Sequence, residues 1–531
     1  MLCRAVQNWN GHPTKPCAGS DILIEKEKKM AVETLRDIVK YSAENYGKQT
    51  AYRYKVNKEL EDKSYDEVNR DSMAISRMVE AFSLKGKHIA VIGTTSYPWI
   101  ISYFGITNSA SVAVPIDVQL PADAICELLR RADVEMLIYD EIRKDVAEMV
   151  KTACPAVKYI VSMQAEEDNN GILSWKKLVE GNVGDYETEI NPDALCTILF
   201  TSGTTGKSKG VMLTHRNLTD NATCLDMKIP VGTVTMCLLP INHVYCLTMD
   251  IIKGMYIGTT VCINDSIMRV QKNLKLFQPD MILVVPLILE SIYSKLKAVG
   301  NKIPKEVVAK EVFGGKLKII CSGGAYLDPD YVEKFAEYGI TVLQGYGMTE
   351  CSPLISTNVP WNNKIGSVGQ LVPNCEGKVV DEEIWVKGSS VMKGYYKMPE
   401  ETAEALEDGW LKTGDLGYID EENFVYITGR KKNLIILANG ENVSPEEIEN
   451  QIYKADLVKE ILVREKGNVI QAEIFPDFDY AKENDICDIR KNLQDIIDEY
   501  NKTAPVYKRV LDLVVRETEF EKNTTKKIKR Y

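Results

Sequence analysis

The sequence predicts an α/β protein: a large N-terminal domain of stacked mixed and parallel sheets with helices plus a small β-barrel, followed by a small α+β C-terminal domain on a hinge. Three observations predict it. Short β-branched runs alternate with helical patterns from about residue 85 to 350. The texture changes to short strands and glycines over 366–396, and a densely charged segment of βα type fills 433–531.

The strand candidates are HIAVIG (88–93), SVAVPID (111–117), VEMLIYD (134–140), KYIVSM (158–163), CTILFTSG (196–203), MILVVP (281–286) and LKIICSGG (317–324). Continuous apolar runs of this kind fit strands covered on both faces, as in parallel sheets. Between them ADAICELLRRAD (122–133) and YVEKFAEYG (331–339) carry the 3.6-residue spacing of amphipathic helices. The alternation gives the α/β class. A helical pattern also begins directly after Met30, and residues 1–29 are polar, with no apolar run; they read as a disordered or non-native extension. The expected divisions are 1–29, 30–429 and 430–531, with the hinge near Gly429–Lys432.

With 531 residues the chain exceeds a single compact core. Its formal net charge of -11 disfavours nucleic acid and anionic membranes as partners. No stretch of eighteen or more apolar residues suggests an integral membrane segment. The 13 cysteines are irregularly spaced, several in strand-like runs (Cys196, Cys237, Cys262, Cys321), and no CxxC occurs. They read as buried free thiols in a reducing cytoplasm rather than disulfides or zinc ligands. Four histidines are too few for a His-rich metal site.

The sharpest motif is TILFTSGTTGKSKGVMLTH, 197–215. A strand ends at Phe200, a loop built of Thr, Ser, Gly and Lys follows, and HRNLTDNA reads as a helix. Glycines admit phosphate close to the backbone, hydroxyls and amides donate to its oxygens, and Lys207 adds charge. A P-loop fails on spacing, because its first glycine would fall at Thr201.

Four more motifs follow in order: QGYGMTECSP (344–353), GWLKTGDLGYID (409–420), TGRKKNLIILANGENVSPEEIE (428–449) and FEKNTTKKIKRY (520–531). Glu350 beside a phosphate loop can hold a hard cation through oxygen. Asp415, read as lying in a turn between glycines, offers two acceptor oxygens suited to a cis-diol.

From about residue 40 to the C-terminus this ordered series resembles the adenylate-forming superfamily, which includes acyl-CoA synthetases, peptide-synthetase adenylation domains and firefly-type luciferases. The resemblance is closest to bacterial fatty-acyl-CoA ligases, in VPIDVQLPADAI (114–125), SGGAYLDPD (322–330) and NGENVSPEEIE (439–449). It implies that Thr201, Ser202, Gly203, Thr204, Thr205, Gly206 and Lys207 cradle phosphate. It places Gly324, Ala325, Gln344, Gly345 and Tyr346 at the nucleotide, with Tyr346 stacked on adenine. It implies that Thr349 contacts the α-phosphate, Glu350 binds Mg²⁺ and Asp415 takes the ribose hydroxyls. Arg430 would reach the nucleotide, Lys432 act as hinge and Gly440 lie where the pantetheine thiol arrives. Lys527 would bridge carboxylate and α-phosphate, with Lys526 standing where the family often has Gly.

LLPINHVYCL (238–247) resembles the segment between nucleotide and acyl tunnel, with His243 at the gate. Amino-acid-activating relatives place an Asp near there; this chain has Asn242 and His243, and Asp250 lies close by in sequence. The implied reaction joins a carboxylic acid, of medium or long chain, to the thiol of coenzyme A through an acyl-adenylate, using ATP and Mg²⁺. An aryl acid, an acyl carrier protein as acceptor, and a nucleotide-binding regulatory protein of the same fold remain alternatives. The expected state is a cytoplasmic monomer or homodimer.

Overall fold

The computed structural model describes residues 31–57, 59–201, 208–298, 304–437, 441–467, 469–522 and 528–530. Residues 32–531 form one compact unit. The extension 1–29 lies outside the described residues.

Two large sheets carry the fold. One has eight strands, and its parallel series contains Val112–Ile116, His88–Ile92, Val134–Tyr139, Tyr159–Ser162 and Ile172–Ser174. Leu195–Thr201 extends that series, and Lys209–Thr214 then turns back antiparallel to it. The other sheet has nine strands, parallel through Thr260–Ile263, Val234–Cys237, Met281–Val284, Ile319–Ser322 and Thr341–Gly347, with antiparallel strands at both edges. The strands predicted at 88–93, 111–117, 134–140, 158–163, 281–286 and 317–324 all form.

The main core draws on both sheets and on the helices Leu35–Tyr46, Tyr65–Ala81 and Tyr97–Asn108. The third of these has no polar face and is buried along its whole length, as a helix apolar all round must be. Trp99, Tyr103 and Phe104 are fully buried on it, and burying such a side chain contributes about 1.5–3 kcal/mol. Gly105 is required where it crosses the second helix, because a Cβ there would stand 2.3 Å from Ile75 Cβ. Capping boxes at Thr34 with Asp37 and Ser64 with Glu67 satisfy the first amides of the first two helices.

The expected small barrel takes the form of a five-stranded antiparallel sheet: Cys375–Val380, Glu383–Gly388, Leu406–Glu407, Trp410–Ile419 and Val425–Arg430. It runs well past residue 396. Beyond it a separate apolar core spans Ile435 to Leu513. That core joins the three-stranded sheet Val458–Lys466, Val469–Pro476 and Val510–Val515 to the helices Pro445–Ile452 and Ile489–Thr503. Polar contacts tie this segment to the rest: Lys431 to Glu383 at 2.8 Å, the Ser444 hydroxyl to Thr428 O at 3.0 Å, and the Tyr453 phenol to Glu290 at 3.3 Å. Among the described residues no helix is long and apolar enough to cross a membrane.

Two sequence expectations are corrected. The strand before the phosphate motif ends at Thr201, and Lys209–Thr214 pairs antiparallel with it, so the motif leads into a second strand and not directly into a helix. The helix His215–Thr223 starts only after that second strand, so its N-terminus does not adjoin the loop. Asp415 lies inside the strand Trp410–Ile419 rather than in a turn; a register irregularity at Leu416/Gly417 accounts for the glycine-rich, turn-like sequence.

Candidate nucleotide and acid site

The motifs converge because the elements after the hairpin hold them. The helix His215–Thr223 begins on a reciprocal cap between Thr214 and Asn217. Its fully buried Asn221 donates to Cys351 O, Leu354 O and Ser390 Oγ at 3.2, 2.9 and 2.9 Å, and accepts from Leu354 N at 3.1 Å. One side chain thereby fixes the 349–354 turn against the hairpin. The short strand Gly394–Tyr395 pairs with Lys209–Thr214. From it the Tyr395 phenol donates to Glu350 Oε1 at 2.8 Å, and the Lys209 ammonium sits 4.7 Å from the Tyr395 ring centre.

Thr349 and Glu350 occupy the 3₁₀ turn Thr349–Cys351. Tyr395 occupies one carboxylate oxygen of Glu350, and a carboxylate offers acceptor capacity on the other. Oxygen donors of this charge fit a hard divalent cation such as Mg²⁺.

On the neighbouring sheet the Tyr346 phenol donates to Asp415 Oδ2 at 2.6 Å, and Arg430 Nε pairs with Asp415 Oδ1 at 2.6 Å. Asp415 is 2% exposed. Burial and the adjoining carboxylate hold the Tyr346 phenol well above its usual range. A carboxylate at this position supplies oxygen acceptors of the kind a ribose cis-diol pairs with. Arg430 ends its strand, and Lys432 follows in the turn Lys431–Asn433. Desolvation, with Arg430 and Arg530 nearby, pulls the Lys432 ammonium below its usual range. Arg530 in turn pairs with Glu449 Oε1 at 2.9 Å and with Glu446 at 3.4 Å. Burial pushes the Glu449 carboxyl up to about 7 against the pull of Arg530.

Gln344 is buried, its amide donating to Leu327 O at 3.3 Å, which ties it to the loop carrying exposed Gly324 and Ala325. The 323 position is closely packed on Gly345: a Cβ on Gly323 would lie 3.3 Å from Gly345 O and 3.3 Å from the Tyr245 ring. The Tyr245 phenol donates to Cys321 O at 3.2 Å. The gate segment is therefore packed on the 322–324 loop. His243 is half-buried, its amide donating to Pro240 O at 3.1 Å, just ahead of the π-helical stretch Tyr245–Ile252. Thr201 closes its strand, its hydroxyl 3.5 Å from Lys209 O. Ser202, Gly203, Thr204, Thr205, Gly206, Lys207, Gly440, Lys526 and Lys527 lie outside the described residues.

Sequence reasoning did not single out Tyr395, Lys209, Asn221 or the Glu449–Arg530 pair. Only the GYY at 394–396, directly following a glycine-marked change of texture, hinted at the first.

The pattern of an AMP-binding enzyme matches residues 39–396, and that of an AMP-binding enzyme C-terminal domain matches 432–530. The chain belongs to the AMP-binding enzyme family. Among relatives of this family, a long-chain-fatty-acid–CoA ligase of Bacillus subtilis (strain 168) is 28% identical over 487 residues, covering 83% of this chain and 84% of that protein. Fatty acyl-CoA synthetase A of Dictyostelium discoideum is 27% identical over 475 residues, 77% of this chain and 70% of that protein. The fold matches ATP-bound MatB from Rhodopseudomonas palustris with a TM-score of 0.79 at 23% identity, covering 93% of this chain and 97% of that one. It also matches the anthranilate CoA ligase AuaEII, in complex with anthranoyl-AMP, with a TM-score of 0.81 at 20% identity, over 93% and 95% of the two chains.

Proposed function

We propose that this AMP-binding family member is an AMP-forming acid:CoA ligase whose acid is a medium- or long-chain fatty acid. The observation that carries the nucleotide half is buried Asp415, held between the Tyr346 phenol and the Arg430 guanidinium. The acyl half rests on the gate segment, where Asn242 and His243 stand in place of an acid able to pair with an α-ammonium, and on relatives named as long-chain-fatty-acid–CoA ligases.

In the first step a carboxylate oxygen attacks the α-phosphorus of ATP and pyrophosphate departs. Tyr346 and Asp415 hold base and ribose, and the hydroxyl of Thr349 donates to the α-phosphate. Lys527 offsets the negative charge gathered between the carboxylate and that phosphate. Glu350, steadied by Tyr395, would hold Mg²⁺, which neutralises phosphate charge when bound. In the second step the CoA thiolate attacks the acyl carbonyl carbon and AMP leaves with both bonding electrons. Lys527 and the loop at Gly440 serve different steps, so the segment 430–531 turns about Lys432 between them.

The test is pyrophosphate release over a panel of saturated, aryl and amino acids, with CoA, a carrier protein or neither. Medium to long saturated acids should turn over fastest, with CoA required for thioester formation. An aryl or amino acid giving the highest rate overturns the substrate class. Pyrophosphate release without any acid-dependent thioester overturns the ligase reading.

A further inference from the structure

One buried polar group has no part in this chemistry. Cys237 ends the strand Val234–Cys237, and Cys246 and Asp250 sit four residues apart on the π-helical stretch Tyr245–Ile252. The three are 3%, 0% and 2% exposed. One ligating atom of each lies within 4.8 Å of the others, and the two sulfurs are 3.2 Å apart. Neither oxygen of Asp250 has a hydrogen-bond partner, nor does the hydroxyl of fully buried Tyr52.

An unpartnered buried polar group costs roughly 1–3 kcal/mol, and more if charged. Native interiors compensate such groups with a partner, a water or an ion. The nearest lysine in sequence does not serve: Lys253 donates to Ala222 O and Leu225 O, each at 2.9 Å. A proton or a bound cation is left to compensate Asp250. The donor chemistry favours the cation. Two sulfurs and one carboxylate form a soft set of the kind zinc takes, at about 2.3 Å to sulfur and 2.0–2.2 Å to oxygen. A tetrahedral centre at those lengths separates two sulfurs by about 3.8 Å and a sulfur from an oxygen by about 3.5–3.7 Å. The sulfurs, 3.2 Å apart, would part by about 0.5 Å on binding, and all three donors already lie within 4.8 Å of one another.

We propose that Cys237, Cys246 and Asp250 form a buried structural site for a soft divalent cation of the zinc class. The cation would staple the strand Val234–Cys237 to the helix that begins two residues after His243, and so fix the gate segment from behind. A dication offsets two of the three negative charges the donors can carry. A site this deep is loaded during folding and retained while the protein stays folded.

The experiment uses the full chain purified under reducing conditions without chelator. Elemental analysis should find one zinc per chain, retained through EDTA dialysis. Protein produced in cobalt-supplemented medium should show sulfur-to-cobalt charge-transfer absorption. Asp250→Asn, nearly isosteric, should lower metal content or its resistance to chelator by roughly tenfold or more, and Cys237→Ala/Cys246→Ala should abolish the cobalt band. A folded wild-type chain with no more metal than the double variant overturns the site. So does a native Cys237–Cys246 disulfide by mass spectrometry, since it would consume both sulfurs. Should the double variant fail to fold, the wild-type cobalt spectrum and Asp250→Asn decide the matter alone.

Discussion

Asp415 and Asp250 are equally buried, at 2% exposure each, and their company is opposite. Asp415 has a phenol on one oxygen and a guanidinium on the other, both at 2.6 Å. Asp250 has no hydrogen-bond partner and two thiols for neighbours. The contrast teaches how a buried acid is made tolerable. The nucleotide side carries its compensating charge in the chain and is assembled before any ligand arrives. The gate side lacks it in the chain, so compensation must come from a proton or from an ion.

The largest expected effect breaks the first half of that contrast. Asp415→Ala strips Arg430 and Tyr346 of their shared acceptor. Truncating one partner of such a pair costs about 2–5 kcal/mol, so kcat/KM for ATP should fall roughly thirty- to several-thousandfold. Unchanged ATP kinetics would make Asp415 purely architectural. Next comes Lys527→Ala, which should slow adenylation about a hundred- to a thousandfold while sparing thioester formation from supplied acyl-AMP. Lys526→Ala is its control and should leave adenylation close to wild type; the reverse result shifts the tail assignment by one residue. Smaller is Tyr395→Phe, which removes a hydrogen bond to a charged group worth about 1.5–3 kcal/mol. Its signature should be a raised Mg²⁺ requirement in a titration at saturating ATP; an unchanged titration would detach Tyr395 from Glu350 function.

The smallest effect is a pH dependence at Glu449, a buried acid of the C-terminal segment. Glu449 is raised from 4.5 to about 7, so the folded state binds its proton more tightly than the unfolded state. Its contribution to stability is therefore complete below 4.5 and is lost as pH rises through about 7. Glu449→Gln should flatten the melting-temperature profile across that window relative to wild type. An identical profile in the variant would show that another group governs it.

The parts of the fold legible in the sequence were those with one-dimensional signals. His88–Ile92, Val134–Tyr139 and Met281–Val284 are continuous apolar runs because both faces of their sheets are covered, and burial on both faces writes itself into consecutive residues. Lys209–Thr214 is not legible in the sequence because its glycine and lysine match the loop's composition, and its pairing with Leu195–Thr201 is a property of the two strands together rather than of either one. Asp415 was misplaced for a related reason: glycines that permit an irregular strand look like glycines that make a turn. At the site, Tyr346, Asp415 and Arg430 were readable from their motifs, and the structure brings the three into contact. Tyr395 was not, since its role comes from Gly394–Tyr395 pairing across nearly two hundred residues of sequence with Lys209–Thr214. Cys237, Cys246 and Asp250 match no ligand spacing, and only the π-helical winding beside the strand end gathers them.

Arg430 has one further consequence. It grips Asp415 from the last residue of its strand, and Lys432 is two residues on. The proposed pivot is therefore bolted to the proposed nucleotide pocket. On that proposal a ligand that strengthens or loosens the Asp415–Arg430 grip would change the torque on everything downstream, and nucleotide occupancy and the angle of the C-terminal segment would be coupled variables. Linkage makes that coupling reciprocal: whatever pins the segment in one orientation must also alter how tightly AMP is held.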